Sequence, residues 1–177
     1  MRTKLVMAAL TAACVGSMAT TTASAGPGPG GQPLTASVQG QARLAYEVAE
    51  DDVRFTVDAR ATYAPGSPIP ATVTGTARIY HRHGDLTVWA DIAVDCVTAG
   101  GPTATVTGIV VDAAPAVQDW KERQIRLGFS VYDAGKDKAG RDRAGFSGPT
   151  APGEPLLQKC MAPAAHFGVR EGGYTVR

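Results

Sequence analysis

The chain has 177 residues, with 17 Lys and Arg against 16 Asp and Glu, 21 Gly, 12 Pro and an apolar fraction of 44%, and its length allows one ordinary domain. The apolar fraction is typical of a globular protein and excludes a wholly disordered chain, while the lack of a Gly at every third residue excludes collagen. A formal net charge of +1 gives no electrostatic footprint for nucleic acid or for an anionic membrane surface.

Residues 1–25 have the order of a secretory signal peptide. Arg2 and Lys4 precede an apolar run over residues 5–18, and residues 23–25, Ala-Ser-Ala, supply an A-x-A cleavage site. The apolar run is shorter than the about 20 residues that span a bilayer. We therefore predict a removed signal peptide, a secreted protein and no transmembrane segment.

A lipoprotein site is the alternative interpretation of the same segment. Residues 10–14 loosely match a lipoprotein cleavage motif in which Cys14 would be the lipidated residue. Thr11 stands where such sites usually carry Leu, so we favour secretion over anchoring through Cys14.

Removal of the signal peptide would leave two cysteines, Cys96 and Cys160. Two cysteines allow one intramolecular bond, and the oxidising surroundings of an exported protein favour it. The bond would close a loop of about 65 residues, for which the chain-entropy model gives about 4 kcal/mol. The spacing fits neither a C-x-x-C redox motif nor a zinc knuckle, so we predict a structural disulfide. Two separate buried thiols are the alternative.

The rest of the chain is predicted to be all-β. Residues 26–41 begin GPGPGGQP and are interpreted as a flexible leader. From residue 42 to residue 177 apolar and polar residues alternate, Val and Thr are frequent, and turn residues recur. This pattern predicts a single antiparallel domain of about seven to nine short strands, with at most one helical turn at residues 119–122. A sandwich and a closed barrel both fit.

Three local expectations follow from the strand pattern. Residues 50–52 should form the tip of a hairpin. Cys96 ends a regular alternation and should point toward the core. Gly172-Gly173 should turn the chain between two short C-terminal strands, residues 165–169 and 174–176.

Four segments resemble a group of small exported actinobacterial β-proteins, some of which carry the label repetin. These segments are GTARIYHR, WADIAVDCVTAGGPTATVTGIV, IRLGFSVYD and EGGYTVR. The shared pattern runs from Ala42 to the C-terminus and so covers most of the exported chain. The resemblance implies a bacterial, exported all-β domain, and it implies no catalytic residue, cofactor or established activity.

The segment His81-Arg82-His83 is the sharpest candidate for a metal site. On a strand, H-x-H puts both imidazoles on one face, and His166 could complete the three ligands of a catalytic zinc. However, His83 adjoins the presumed turn at Gly84, where the two-residue period is lost and the rings need not converge. We therefore predict solvent-facing histidines, no metal and no cofactor.

A second candidate is GKDKAGRDRAG, which starts at Gly135 and contains Asp137 and Asp142. With Asp133, these carboxylates offer oxygen ligands, but their spacing fits no calcium loop. Lys and Arg also flank each acid. We expect a solvated hairpin loop, and weak docking of a polyanion such as cell-wall teichoic acid is the alternative.

No catalytic constellation is recognisable in the sequence. Glu50, Asp51 and Asp52 would lie exposed and unperturbed at a hairpin tip, whereas acid catalysis needs a desolvated carboxyl group. The chain has no G-x-S-x-G elbow, no P-loop, no G-x-G-x-x-G after a strand and no H-E-x-x-H motif. We therefore expect a protein that is not an enzyme.

Three aromatic residues, Tyr80, Trp89 and Tyr132, face outward by strand parity. They could form a patch for a sugar or a partner, but a cross-strand aromatic pair that covers the sheet is the favoured alternative. The expected function is a non-catalytic exported β-domain, a binding or structural module at or beyond the cell surface with an extracellular or cell-wall partner. The alternative is a β-barrel that holds a small ligand, or a metal-dependent enzyme. A closed barrel with a cavity of about 300 Å³ or more would favour ligand holding.

Overall fold

A computed structural model describes residues 34–135 and 141–177, and these residues form eight β-strands, one α-helix and one 3-10 turn. The strands are β1 (Leu34–Leu44), β2 (Asp52–Tyr63), β3 (Pro70–His83), β4 (Leu86–Gly100), β5 (Thr103–Ala113), β6 (Arg126–Tyr132), β7 (Arg143–Phe146) and β8 (Phe167–Val176). The helix α1 (Asp119–Glu122) follows the 3-10 turn (Pro115–Val117), and both lie between β5 and β6. In this described part of the chain, no helix has the length and apolar character of a membrane span.

The strands form one antiparallel sheet that closes on itself. Each strand pairs with the next along the chain, and β1 also pairs with β8, for example through Gln39 and Thr175. The closed barrel of eight strands confirms the prediction of a single antiparallel all-β domain. Of the two architectures that the sequence left open, the chain adopts the barrel.

The connections lie at two ends of the barrel, because the chain reverses direction at each antiparallel strand. The connections β1–β2, β3–β4, β5–β6 and β7–β8 share one end, which we call the helix end because it carries α1. The other connections lie at the opposite end. Residues 119–122 form the helical turn α1, one of the two conformations, helical turn or long loop, that the sequence allowed.

The centre of the barrel is filled by side chains from alternate strand positions. Phe55 of β2 and Phe129 of β6 stack with ring centroids 4.2 Å apart, and both are almost fully buried. The ring of Tyr174 lies 6.0 Å from that of Phe55. Small and β-branched residues, such as Ala59 and Val57 of β2, fill the space around these rings.

The first strand begins earlier than predicted. Residues 34–41 belong to β1 and pair with β2, so the boundary placed between a leader and the β-domain at residue 42 is wrong. Ala36 and Val38 are buried in the core. The alternation in this part of the chain is formed by Ala36, Val38 and Gly40, and its small residues give a weak strand signal. Residues 1–33, with the signal peptide, Cys14 and the rest of the leader, lie outside the described residues.

The C-terminal segment is one strand, and the predicted turn at Gly172-Gly173 is absent from it. Both glycines lie inside β8, where Gly172 pairs with Ala42 of β1. Gly172 has a φ of 78°, and a Cβ at this position would collide with the carbonyl oxygen of Gln41. The glycine therefore serves the close approach of the two strands that close the barrel.

The predicted disulfide between Cys96 and Cys160 is present, with Cα atoms 5.3 Å apart, but Cys96 faces outward and not toward the core. The β4–β5 register shifts between Val94 and Cys96, which identifies a β-bulge at Asp95. Cys96 consequently pairs with Thr107 on the outer face. The bulge reverses the direction that simple alternation predicts.

Cys96 is nevertheless 0% exposed, because residues 147–166, which we call the strap, run over the outer face of β6. Within the strap, the carbonyl oxygen of Leu157 accepts a hydrogen bond from Arg126, at 3.0 Å. The carbonyl oxygen of Pro163 accepts one from Ser130. The amide of Cys160 donates to the hydroxyl of Thr107 at 3.1 Å. The disulfide thus fixes the middle of the strap to the barrel wall.

Candidate functional site

A pocket of about 220 Å³ opens at the helix end of the barrel. Its lining residues are Tyr46, Val53, Ile79, His81, Val88, Trp89, Trp120, Leu127, Phe129, Phe146, Ser147, Gly148 and Pro149. Most of these side chains are apolar or aromatic, as is usual in pockets for small molecules.

The floor of the pocket comes from the strands, and its rim comes from the connections. Ile79 and Leu127 are buried, inward-facing residues of β3 and β6, and Phe129 below them belongs to the stacked pair of the core. Trp120 reaches the rim from α1, and Tyr46 reaches it from the β1–β2 connection. The strand pattern therefore sets the floor, whereas the rim depends on how two connections fold back over the barrel.

Aromatic rings enclose one side of the pocket. The ring of Tyr46 lies 6.0 Å from that of Phe146 and 5.1 Å from that of Phe167. The same tyrosine contacts His81 edge to face, with centroids 5.3 Å apart and an angle of 62° between the planes. Contacts on several sides hold the imidazole of His81 in place at the pocket wall.

Asp51 is the buried acid of this region. Its carboxylate Oδ2 lies 2.6 Å from His81 Nε2, and its Oδ1 lies 2.7 Å from His83 Nδ1. Hydrogen bonds with His83 and His81 hold the pKa of Asp51 below the ordinary value of a carboxyl group, although burial acts in the opposite direction. At neutral pH Asp51 is therefore ionised and can only accept hydrogen bonds.

The expectation that Asp51 lies exposed and unperturbed at a hairpin tip is wrong, since its side chain is 3% exposed. The strand β1 ends at Leu44, which leaves a longer connection than the sequence predicted. A turn closed by a hydrogen bond from the Asp51 amide to the Val48 carbonyl, at 3.1 Å, brings the acid back to the barrel mouth. Glu50 alone keeps the predicted exposure.

His81 and His83 converge, although their rings were not expected to meet, and His83 keeps the predicted exposure, at 67% of its side chain. The β3–β4 ladder continues to the pair His83 and Leu86, so the two-residue period persists to the end of β3. Both imidazoles bind the same carboxylate, that of Asp51. Asp51, which the sequence predicted to be exposed, is therefore the buried partner of both histidines.

His166 does not join them. Its Nδ1 donates a hydrogen bond to the carbonyl of Ala164 at 2.9 Å, and its ring packs on Phe167 with centroids 3.8 Å apart. Within residues 34–135 and 141–177, no group of three or more His, Cys, Asp or Glu side chains has the geometry to hold a metal ion. The structure thus does not assemble the three-histidine arrangement considered for zinc.

Asp52 next to this cluster is also buried, but it binds arginines. Its carboxylate accepts hydrogen bonds from Arg54 at 2.9 to 3.1 Å, and Arg43 Nε lies 3.2 Å away. The hydrogen bonds from Arg54 hold the pKa of Asp52 below its ordinary value. The two neighbouring acids therefore have different partners, histidines for Asp51 and arginines for Asp52.

The outward aromatic residues do not form a patch of three, since two of them lie on opposite positions of neighbouring strands and the third lies elsewhere. Trp89 of β4 lies opposite Tyr80 of β3, as expected for a cross-strand pair. The guanidinium of Arg78 lies 4.6 Å from the centre of the Trp89 ring, and Asp91 binds the same guanidinium at 2.8 Å. Tyr132 is on β6, opposite Thr103 and away from this pair.

Asp142 of the GKDKAGRDRAG segment and Asp133, which precedes the segment, accept hydrogen bonds from backbone amides. Asp142 accepts hydrogen bonds from the amides of Ala134 at 2.9 Å and Tyr174 at 2.8 Å, and Asp133 accepts one from Val176 at 3.0 Å. Asp142 is 8% exposed, so it is not the solvated loop acid that was expected. Both acids fix β8 in the barrel. Asp137 lies in residues 136–140, outside the described residues.

The fold and the site define a closed eight-stranded antiparallel barrel with an aromatic-lined pocket at one end and a carboxylate–imidazole cluster in its wall. No family model, curated protein or solved structure matches the chain.

Proposed function

We propose that this protein is a non-catalytic exported binding module whose barrel holds one small apolar or aromatic ligand at the helix end. The observation that supports this function is the pocket of about 220 Å³ with its mainly apolar lining. The interior of an eight-stranded barrel is just wide enough to be filled by side chains or to hold one small ligand. Here Phe55 and Phe129 fill the centre, and the pocket lies above them.

The size of the pocket limits the ligand. An apolar cavity of about 150 Å³ can bind benzene, whereas drug-sized ligands use pockets of about 300 Å³ or more. At about 220 Å³, this pocket is smaller than the about 300 Å³ that drug-sized ligands need. We therefore infer a ligand of about one ring with a few additional atoms.

Binding is preferred over catalysis because of the chemistry beside the pocket. A carboxylate–imidazole pair such as Asp51 and His81 assists catalysis when it activates a nucleophile. The serine of the lining, Ser147, uses its hydroxyl oxygen to accept a hydrogen bond from the Gly128 amide at 3.0 Å. This contact gives the serine a role in joining the strap to β6.

Two observations support export. The order of charged, apolar and A-x-A segments in residues 1–25 is that of a signal peptide. The disulfide between Cys96 and Cys160 is of the kind that persists in oxidising compartments. Membership of the actinobacterial group stays a prediction that depends on the four resembling segments. An N-terminus at Gly26 in the exported protein, measured by mass spectrometry, would support secretion, and a lipidated Cys14 would contradict it.

The fluorescence of Trp120 tests the binding function directly. The chain has two tryptophans, and both are among the lining residues of the pocket. Trp120 packs against the core, while the Trp89 ring also contacts Arg78. In a Trp89→Phe variant, Trp120 is the single reporter. Titration with toluene or phenol should change its emission in a saturable manner.

The matched variant is Trp120→Phe, in which Trp89 is the single reporter; because Trp89 also lines the pocket, its emission should saturate at the same ligand concentration. A Val88→Trp variant, which fills the pocket from its wall, should abolish the signal while calorimetry shows that the barrel still folds. If toluene and phenol cause no saturable change up to millimolar concentration, and calorimetry detects no heat of binding, the proposed function is wrong.

A further inference from the structure

A hydrogen-bonding atom in an apolar pocket determines which ligands the pocket selects. The lining contains three side chains that can accept a hydrogen bond, His81 and the hydroxyls of Tyr46 and Ser147. The Ser147 hydroxyl already accepts from Gly128. Of these, His81 is the one that a buried carboxylate orients. Pockets of this kind use few polar groups to orient a ligand and to give specificity. The chemistry of one imidazole therefore has a large influence on ligand choice.

The contacts of Asp51 determine which nitrogen of His81 carries a hydrogen. Asp51 is ionised, and a carboxylate can only accept, so His81 Nε2, at 2.6 Å, must be the donor. In a neutral imidazole one nitrogen is a donor and the other is an acceptor. The acceptor of His81 is then Nδ1, which makes no hydrogen bond to any residue that the structure describes.

The surroundings of the pair fix its orientation. His83 binds the second oxygen of Asp51 at 2.7 Å, so the carboxylate cannot rotate without losing a contact. Tyr46 contacts the ring of His81 edge to face at 5.3 Å. The imidazole is held between the carboxylate and an aromatic ring, and its side chain keeps 32% of its surface exposed. A ligand can therefore reach it.

We propose that His81 Nδ1 is the hydrogen-bond acceptor of the pocket, and that the ligand is an aromatic compound with one O–H or N–H donor, of the phenol or indole class. This inference rests on the proposed binding function and specifies its ligand chemistry. The aromatic part of the ligand would pack in the apolar floor. Its donor would point toward His81.

A matched pair of probes tests the proposal. Phenol and toluene have nearly the same shape, but only phenol can donate. We expect phenol to bind about tenfold more tightly than toluene, the difference that one net hydrogen bond typically gives, when both are measured by calorimetry. Equal affinities would overturn the proposal and leave the apolar pocket intact, whereas binding of neither compound would overturn the proposed function as well.

Substitution of Asp51 provides a readout that a merely structural role would not produce. In Asp51→Asn the amide can donate to His81 Nε2, which moves the hydrogen of the imidazole to Nδ1. The preference for phenol over anisole, an acceptor of similar size, should then decrease or invert. Asp52→Asn is the matched control, because Asp52 binds arginines, and its preference should equal that of the unmodified protein.

Two further measurements keep the proposal testable if Asp51→Asn does not fold. His81→Phe retains a ring but removes the acceptor, so phenol should bind no better than toluene. In the unmodified protein, nitrogen NMR should show His81 with hydrogen on Nε2, and saturation with phenol should shift its Nδ1 resonance. An unshifted Nδ1 resonance, or an unchanged phenol preference in His81→Phe, would overturn the proposal.

Discussion

At the scale of single residues, two adjacent acids at the start of β2 show how position decides chemistry. Asp51 and Asp52 are both buried, at 3% and 5% exposure, and each has a pKa held below the ordinary carboxyl value by its own partners. A buried charge is tolerated only when it is paired and hydrogen-bonded. The two histidines and two arginines around these acids meet that requirement.

The lowered pKa values predict a loss of stability in acid. A carboxyl group whose pKa is lower in the folded protein stabilises it above the ordinary value of 3.8, and this stabilisation is lost as the pH falls through the lowered folded value. The thermal unfolding temperature should therefore decrease when the pH is lowered below about 4.

Scanning calorimetry from pH 7 to pH 2.5 checks this expectation. Asp51→Asn and Asp52→Asn should each have a lower midpoint at pH 7 and a smaller loss in acid, because each variant lacks one of the two titrating groups. A midpoint in both variants that falls with acid as steeply as in the unmodified protein would contradict the assignment.

At the scale of elements, the strap and the bulge of β4 depend on each other. The bulge at Asp95 turns Cys96 to the outer face, and the strap covers it there through Cys160. Asp95 also accepts hydrogen bonds from Thr107 at 2.6 Å and from Arg126 at 2.9 Å. A local irregularity in one strand thus determines where the longest described connection crosses the barrel.

The fit of the strap over β6 predicts the effect of one glycine substitution. A Cβ at Gly128 would collide with the carbonyl oxygen of Met161 in the strap. Gly128→Ala should therefore destabilise the protein by about 1–3 kcal/mol, the usual cost of overpacking. Urea unfolding measures this cost, and limited proteolysis should show earlier cleavage within residues 147–166.

Gly168→Ala is the matched control for this prediction. Gly168 is a strand residue of β8, and a Cβ there would have no atom within 4 Å. Its unfolding midpoint and its cleavage pattern should match those of the unmodified protein. If Gly128→Ala behaves like Gly168→Ala, the strap does not press on β6.

The strands were predictable where alternation is carried by large residues. Leu127, Phe129 and Val131 of β6 face inward as expected, since each is large and apolar and alternates with smaller or polar neighbours. The prediction was wrong where alternation is carried by small residues, as at Ala36, and where a bulge adds a residue, as at Asp95. Neither small-residue burial nor a bulge has a local signal strong enough to detect in one sequence.

At the scale of the whole molecule, closure of the sheet joins residues that are far apart in the chain. The pocket combines Tyr46, which precedes β2, with Trp120 and Phe146. Each was visible in the sequence, but their meeting depends on the barrel. His81 and His83 were identified as a pair on one strand face. Asp51 was not assigned to them, because the path of a connection cannot be derived from strand periodicity.

The disulfide predicts how far the whole molecule depends on one crosslink. The two cysteines are separated by 64 positions, and the chain-entropy model gives such a bond about 4 kcal/mol. A variant with both Cys96→Ser and Cys160→Ser should lose about 2–5 kcal/mol of unfolding free energy, measured in guanidinium chloride.

Reductant separates this effect from the loss of packing at the two sites. The unmodified protein should become less stable in dithiothreitol, whereas the double variant should not respond. An unmodified protein that is equally stable with and without dithiothreitol would contradict the prediction.

The ladders between neighbouring strands differ in the number of residues that they pair. The ladder between β7 and β8 contains two residue pairs, Arg143 with Gly168 and Ala144 with Phe167, while the ladder between β2 and β3 extends along nearly the whole of both strands. Local opening is easiest where the fewest contacts must break. In hydrogen–deuterium exchange, the amides of β7 should exchange before those of the paired centres of β2 and β3, and equal protection would argue against a weak ladder.

The short ladder between β7 and β8 affects how a ligand enters the barrel. Phe146 at the end of β7 lines the pocket, and Phe167 at the start of β8 packs against it, with centroids 5.4 Å apart. Brief separation of these two strands would open a side passage to the pocket while the other seven ladders stay closed. A ligand would then enter and leave through the barrel wall, at a rate set by the local opening of the β7–β8 ladder.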